Sequence, residues 1–353
     1  MPSAPANIVA EDIERLLART SGSWEALRGA RLFVTGGTGF FGSWLLQTLV
    51  AAEVSFDLGL RVVVLSRDPD RFASRHPGTA GSDKVRLVAG DVRDFPFPRG
   101  PFTHVIHAAT EASAALERDD PRTMEEVCRE GTSRVLSFAE ACGAARVLFT
   151  SSGAVYARPA RETTRFSEEM STTPAPGEPA GAYATGKRAA EKLCIAAASR
   201  GAGVTIARCF AFVGPRLPLD AHLAIGNFIR DAMAGGPIVV NGDGRTVRSY
   251  LYSADLVEWL GTILLRGVPG RPYNVGSDEG LPVGSLARLV ADAVPEVFPG
   301  RPRPEVVVRG LASPGTAPSV YVPDCTRART ELGLRPETGL DQAIRRTMRA
   351  AAG

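Results

Sequence analysis

Tyr183 and Lys187 stand four residues apart in "AGAYATGKRAAEKL" (180–193). Four residues is one helical turn, so the two side chains share a helix face. A phenol with its ordinary pKa near ~10 is a poor base at neutral pH, and a neighbouring ammonium lowers it. The pair could therefore be an acid–base device. A Tyr–Lys pair at this spacing is also common on solvated helices, and only the rest of the chain separates the two readings.

A second chemical signal lies near the N-terminus. "TGGTGFFG" (35–42) places Gly36, Gly39 and Gly42 between the apolar run "RLFVT" and the helical pattern "GFFGSWLLQTLVAA". A turn without Cβ atoms lets helix N-terminal N–H groups approach a pyrophosphate. A lone glycine triplet is weak, but a strand before it, a helix after it and a second strand beyond make a dinucleotide site. The second strand ends in "VVVLSRDPD", where a carboxylate would hold the ribose hydroxyls of NAD. Ser66 and Arg67 stand there instead. An arginine with a hydroxyl suits a 2′-phosphate, so the expected cofactor is NADP, with NAD as the alternative if Asp68 serves the ribose. Asp91, after the third strand, reads equally as an adenine contact or a loop cap.

The elements that position these residues alternate. Strands are expected at 31–35, 60–66, 84–92, 102–109, 145–152 and 203–210, with helices from Gly39, over 121–143 and over 182–199. Short apolar strands separated by helices predict an α/β fold with a doubly wound parallel sheet. After about residue 210 the pattern loosens, with helices expected near 223–234, 253–265 and 338–351. The expected organisation is a helical extension (1–30), a Rossmann domain (31–210) and a smaller substrate lobe (211–353), interleaved with it. Two long loops, 157–181 and 311–323, read as functional or disordered.

Composition narrows the class. The 353 residues are 44% hydrophobic and 22% charged, with 41 basic against 38 acidic residues. The near balance gives no reason to invoke nucleic acid or an anionic membrane. No apolar run reaches membrane-spanning length. The five cysteines are scattered without CxxC spacing, which argues against a metal site or a disulfide framework and fits a reducing cytoplasm. His104 and His107, on one predicted strand, read as core or cofactor-pocket residues. "FSEEM" (166–170) reads as solvated loop, Ser253 with Asp255 as a helix start, Arg245 as a turn residue, and Trp44 as packing for the first helix.

With "HAAT" (107–110), "TSS" (150–152) and the Tyr183–Lys187 pair, the chain resembles an extended short-chain dehydrogenase/reductase. It is similar more narrowly to the nucleotide-sugar epimerase/dehydratase branch, through "RCFAFVGP" (208–215), "GDGRTVRSYLYSADL" (242–256), "RPYNVGS" (271–277) and "PDCTRARTELGLRP" (323–336). The resemblance implies that Tyr183 is the general acid/base, and that Lys187 lowers its pKa and holds the nicotinamide ribose. It implies that Ser152, three before Val155, binds the reacting oxygen, with Ser151 as runner-up. Expected cofactor contacts are Gly36, Gly39, Phe40, Phe41, Gly42, Ser66, Arg67, Asp91, Val92, Ala108 and Ala109, with Tyr183 and Lys187. Expected substrate contacts are Ser152, Asn227, Phe228, Val239 in "PIVV", and Arg248 on the diphosphate.

The chain departs from that branch at informative places. The 4,6-dehydratases carry Asp-Glu, and the UDP-glucuronate decarboxylases a glutamate, where this chain has Gly153 and Ala154. Neither side chain titrates, so dehydration and decarboxylation lose their expected acid. Ala211 replaces a common asparagine, and Tyr321 and Val322 stand near a missing arginine, for which Arg309 or Arg216 are candidate substitutes. The expectation is an NADPH-dependent 4-ketoreductase of a nucleotide-linked ketosugar, as a homodimer through helices 121–142 and 182–199. A 4-epimerase with retained cofactor is the alternative, and a non-catalytic cofactor sensor the third reading.

Overall fold

The computed structural model describes residues 7–109, 114–157, 163–175, 177, 181–220, 223–311, 315 and 317–352. Thr110 of the "HAAT" loop and parts of the two long loops, 158–162, 176, 178–180, 312–314 and 316, lie outside the described residues, as do residues 1–6.

Six strands follow the expected apolar runs: β1 (Arg31–Thr35), β2 (Arg61–Ser66), β3 (Val85–Ala89), β4 (His104–His107), β5 (Arg146–Ser152) and β6 (Val204–Cys209). They join a seventh strand, Pro272–Val275, in one sheet ordered 272–275, β6, β5, β4, β1, β2, β3. Every neighbouring pair is parallel. The chain runs outward from β1 to β3, then restarts on the other side of β1 with β4. Ligands of such sheets bind at this reversal, beyond the carboxyl ends of the strands. Thr35 and His107, register partners at the ends of β1 and β4, mark the spot.

Strand alternation divides the core between two faces. Leu32 and Val34 pack with Trp44, Leu46 and the later helices. Phe33 points the other way, into a cluster with Phe95, Phe102 and Phe138, whose ring centroid lies 4.6 Å from that of Phe33. Trp44 is fully buried and donates to the Pro215 carbonyl at 3.0 Å.

The later part contains two helices the sequence pattern did not suggest, Val283–Val297 and Thr326–Leu332, and it sends the strand Pro272–Val275 back into the main sheet. It also builds small sheets. Ile238–Val240 pairs in parallel with Val306–Val308. Val247–Arg248 lies between Leu281–Pro282 and Val320–Tyr321, with Tyr321 in register with Arg248.

The extension forms a helix, Ile8–Arg19, capped by Asn7, whose Oδ1 accepts from the Ala10 N–H at 3.2 Å. Buried Asp12 receives the Tyr252 hydroxyl and faces the Arg346 guanidinium at 2.7 Å. Burial raises the Asp12 pKa, with Tyr252 and Arg346 opposing.

Ser253 begins the helix Ser253–Arg266 with Asp255 in its first turn, as expected; Asp255 is also fully buried and accepts from the Glu337 and Thr338 N–H groups, so it ties down the C-terminal segment. One reading needs correction. "FSEEM" is docked rather than solvated. Phe166 is buried, and the Glu168 carboxylate accepts the Asn274 N–H at 2.8 Å. An acid beside a strand end found a backbone donor there, which loop composition does not reveal.

Candidate active site

The glycine turn follows from steric contact. Gly36 has φ +71°, and a Cβ there would stand 2.4 Å from the Ala108 carbonyl carbon. A Cβ on Gly42 would stand 2.3 Å from the Gly36 oxygen. Any side chain at either position forces the turn apart. Gly39 precedes the helix Phe40–Phe56 without a side-chain cap, so the first N–H groups of a seventeen-residue helix open on the turn. This cradle fits a diphosphate. Phe40 and Phe41 sit in the first turn, and Phe41 packs edge-on against Phe212 at 4.9 Å.

His107 holds the opposite wall. Thr132 donates its one hydroxyl proton to the Cys128 carbonyl at 2.6 Å. His107 Nε2, 3.0 Å from that hydroxyl, must therefore be the donor, and Nδ1 accepts from Thr35 at 2.7 Å. Burial, with Lys187 nearby, pushes the His107 pKa down to about 3, so the ring is neutral. Thr35 Oγ1 also accepts the Ala109 N–H at 3.3 Å, which fixes the Ala108–Ala109 segment beside Gly36. His104 is buried on the same strand, its Nδ1 2.8 Å from the Thr103 hydroxyl. Among the described residues no group of acids, histidines and cysteines is arranged to hold a metal.

At the β2 end, the Ser66 hydroxyl accepts the Asp68 N–H at 3.2 Å. Asp68 itself caps the helix Pro69–Arg75, accepting from the Arg71 N–H at 2.9 Å. Asp91 is bound to Arg93 through both carboxylate oxygens, at 2.8 and 3.2 Å. The Arg93 side chain first, and Arg67 to a lesser degree, hold the Asp91 pKa down. Val92 is buried against the helix Pro121–Cys142.

The end of β5 brings the remaining residues together. Ser152 Oγ accepts the Ala154 N–H at 3.1 Å and lines one cavity with Tyr183 and Tyr321. Ser151 points to the other face and donates to Glu191 at 2.5 Å, within a buried pair formed by Glu191 and Arg208. Lys187, 2% exposed, donates to the Thr150 carbonyl at 2.6 Å. Its Nζ lies 4.8 Å from the Phe149 ring centroid and 5.9 Å from that of Tyr183. Burial lowers the Lys187 pKa and raises that of Tyr183, whose largest opposing influence is Ser152. In the protein alone, desolvation sets the direction for both groups.

A cavity of about 840 Å³ opens in front of Ser152 and Tyr183. Asn227 and Phe228 line it from the helix Ala224–Met233, Val239 and Arg248 from the small sheets, and Tyr250 and Arg309 from the residues just past their strands. All the expected substrate contacts therefore share one chamber. Arg309 joins them; Arg216 does not, since it reaches Gln47 at 2.9 Å. Arg248 donates to the Val247 carbonyl at 2.9 Å, and burial lowers its pKa. Sequence reasoning assigned no role to Tyr250 or Tyr321, although "SYLY" and the residues before "PD" marked where they lie.

Fold and site together define an NAD(P)-dependent enzyme of the extended short-chain dehydrogenase/reductase type. The family model described as the NAD dependent epimerase/dehydratase family matches residues 32–276, and the chain belongs to that family. It is 28% identical to UDP-glucuronic acid decarboxylase 6 of Arabidopsis thaliana, over 89% of this chain and 86% of that protein. The structure of DesIV, a dTDP-glucose 4,6-dehydratase from Streptomyces venezuelae, is 25% identical with a TM-score of 0.74, covering 91% of this chain and 97% of its own. An epimerase structure from Methanothermobacter thermautotrophicus, 22% identical, has a TM-score of 0.76 over 95% and 96% of the two chains, which is a likeness of fold. No helix among the described residues is long and apolar enough to cross a membrane.

Proposed function

We propose that the protein is an NADPH-dependent 4-ketoreductase acting on a nucleotide-diphosphate 4-keto-(6-deoxy)sugar. One observation carries the reading: Ser152 and Tyr183 face the large cavity, Lys187 lies behind the phenol, and the 153–154 segment beside them holds no acid. The decarboxylases and dehydratases that the chain is similar to transform acids or eliminate water. With Gly153 and Ala154 in place of a titratable pair, carbonyl–alcohol interconversion at one ring carbon is the chemistry that remains.

The cofactor, when bound, supplies the hydride. Tyr183 gives its phenolic proton to the sugar oxygen, and Ser152 hydrogen-bonds that same oxygen. The Lys187 ammonium stabilises the charge left on the phenol. The turn of Gly36, Gly39 and Gly42 holds the diphosphate, between Phe40, Phe41 and the Ala108–Ala109 wall. Ser66 and Arg67 take the 2′-phosphate, a reading supported by Asp68 being engaged as a helix cap. Asp91 and Val92 border the adenine. Arg248, with Arg309, takes the sugar-nucleotide phosphates, and Asn227, Phe228 and Val239 flank sugar and base. The enzyme acts in the cytoplasm as a homodimer paired through helices Pro121–Cys142 and Ala182–Ser199. A monomer by light scattering removes the dimer.

The test is a panel of nucleotide sugars and their 4-keto-6-deoxy derivatives, each with NADPH and NADH. NADPH oxidation with a 4-keto sugar is expected, with no 4-keto-6-deoxy product from NDP-glucose and no carbon dioxide from NDP-glucuronate. Cofactor retained through purification, with interconversion of C4 epimers, would make the enzyme an epimerase instead. Tyr183→Phe is expected to abolish turnover, a loss of about 10²–10⁴-fold in kcat, with cofactor binding nearly intact. Near-normal turnover in that variant would refute the assignment.

A further inference from the structure

The helix that carries Tyr183 and Lys187 begins without a cap of its own. Its N-cap position is Gly181, which has no side chain to accept from the first turn. A helix leaves its first N–H groups without intrahelical partners, and Ser, Thr, Asp or Asn at the N-cap ordinarily answers one of them. Tyr183 stands second in this helix, so its N–H is one of those groups. The partner comes from 66 residues earlier in the chain: Glu117 Oε1 accepts the Tyr183 N–H at 3.3 Å. The same carboxylate fills the space where a side chain at 181 would begin. A Cβ on Gly181 would overlap Glu117 Oε1 and lie 3.4 Å from its carboxyl carbon, and among the described residues nothing else comes within 4 Å of it.

Fixed neighbours place Glu117 there. It lies on the short helix Ala114–Asp119, which follows the Ala108–Ala109 wall in the chain. One residue past that helix, Asp120 caps the helix Pro121–Cys142 by accepting the Thr123 N–H at 3.1 Å. The two long helices pack closely further along, where a Cβ on Gly186 would lie 2.7 Å from the Cys128 Cβ. That contact, with the bond from Lys187 to the Thr150 carbonyl, holds the second turn of the catalytic helix. The first turn, which bears Tyr183, has the Glu117 carboxylate for its cap, set at the positive end of the helix dipole. We infer that Glu117 is a positioning residue of the active site: it caps the catalytic helix from a distant segment and keeps Tyr183 in place beside Ser152. Glu117 moves no proton in the reaction and acts only through the Tyr183 backbone. The inference rests on the ketoreductase reading for its catalytic consequence, and not for the cap.

Amide hydrogen exchange at Tyr183, measured without substrate, reads the cap directly. Glu117→Ala is expected to speed that exchange about fivefold, the effect of removing a typical cap. Glu117→Gln keeps an acceptor oxygen without the charge and is expected to fall between. Gly181→Ser gives the helix a cap of its own. Gly181 has φ −62° and ψ 152°, extended backbone suited to an N-cap, and the serine turns the flexible Glu117 side chain aside. In the Gly181→Ser background, Glu117→Ala is therefore expected to change the exchange by less than about twofold. On a 4-keto sugar, Glu117→Ala is expected to lower kcat about two- to fivefold, because turnover follows the ordered fraction, with KM for NADPH unchanged. Adding Gly181→Ser is expected to restore it. Unchanged Tyr183 exchange in Glu117→Ala overturns the inference whatever the activity, as does an equal effect of Glu117→Ala with and without Gly181→Ser. A kcat that is unchanged in Glu117→Ala, or that stays low after Gly181→Ser has restored the exchange, overturns the positioning role. Absence of turnover on every 4-keto sugar refutes the ketoreductase reading, and the exchange arm still decides whether Glu117 is the cap.

Discussion

Replacing Lys187 with methionine isolates the charge behind the phenol. The methionine fills similar volume in a site that is 2% exposed. The Thr150 carbonyl loses a donor at 2.6 Å, which costs about 1–3 kcal/mol if nothing replaces it. Removing a buried charge returns part of that through relief of desolvation. The folded protein is therefore expected to persist, and thermal unfolding checks this first. The ammonium lies 5.9 Å from the Tyr183 ring centroid. Two unit charges at that separation, with an effective dielectric constant of about 20, interact by about 3 kcal/mol, or about two pKa units. A positive charge favours the phenolate, so its loss raises the Tyr183 pKa. The limb of the kcat profile assigned to Tyr183 should move alkaline by about two pH units, measured as NADPH consumption with a 4-keto sugar. Burial pulls the pKa of Lys187 itself down, so the wild-type reference must be read where the ammonium is still protonated. A limb that moves by less than about half a unit, or activity fully restored by raising NADPH, would show that Lys187 serves cofactor contact alone.

Arg67→Ala should weaken NADP binding by about 1.5–3 kcal/mol, roughly ten- to a hundredfold, with NAD affinity barely changed; equal losses for both cofactors in fluorescence titrations would remove Arg67 from the 2′-phosphate. His107, held near pKa 3 against an ordinary 6.5, contributes stability that is complete above pH ~6.5 and lost as the pH falls toward 3. Urea unfolding should show about 2 kcal/mol of that loss at pH 5, absent from the slope of His107→Gln, and parallel pH slopes for the two proteins would contradict it.

Where function coincides with a local pattern, the sequence is easy to read. The turn at 35–42 needs glycines because the Ala108 carbonyl and the turn's own backbone leave no room. The helix carrying Tyr183 and Lys187 runs Ala182–Ser199, the span its periodicity predicts. The family resemblance picks Ser152 over Ser151, and in the structure one hydroxyl faces the cavity while the other donates to Glu191. Elements assembled from distant segments were harder to see. Pro272–Val275 is four residues long and opens on a proline, so nothing marks it for the main sheet until β6 offers it an edge. The helix Val283–Val297 is masked by Gly284 at its start and Pro295 in its last turn. Tyr321 lies 169 positions from Ser152, and nothing in its neighbourhood in the chain tells that the two line one cavity. Asp12 and Arg346, at opposite ends of the sequence, carry no mutual signal either.

That last pair has a consequence for how the chain could be rewired. The first helix and the last are fastened to each other through Asp12 and Arg346, with Tyr252 as a shared buckle. The polypeptide is therefore close to a closed ring in space while open in sequence. A short peptide linking the start of the first helix, whose Ile8 carbonyl meets Arg346, to the last helix would follow a path the fold already takes, and the ring could be reopened at a surface loop far from the buckle. Clipping away the opening helix is a different operation. It would strand a buried guanidinium and a buried phenol against nothing, so a cut at residue 30 takes out a fastening, not an ornament.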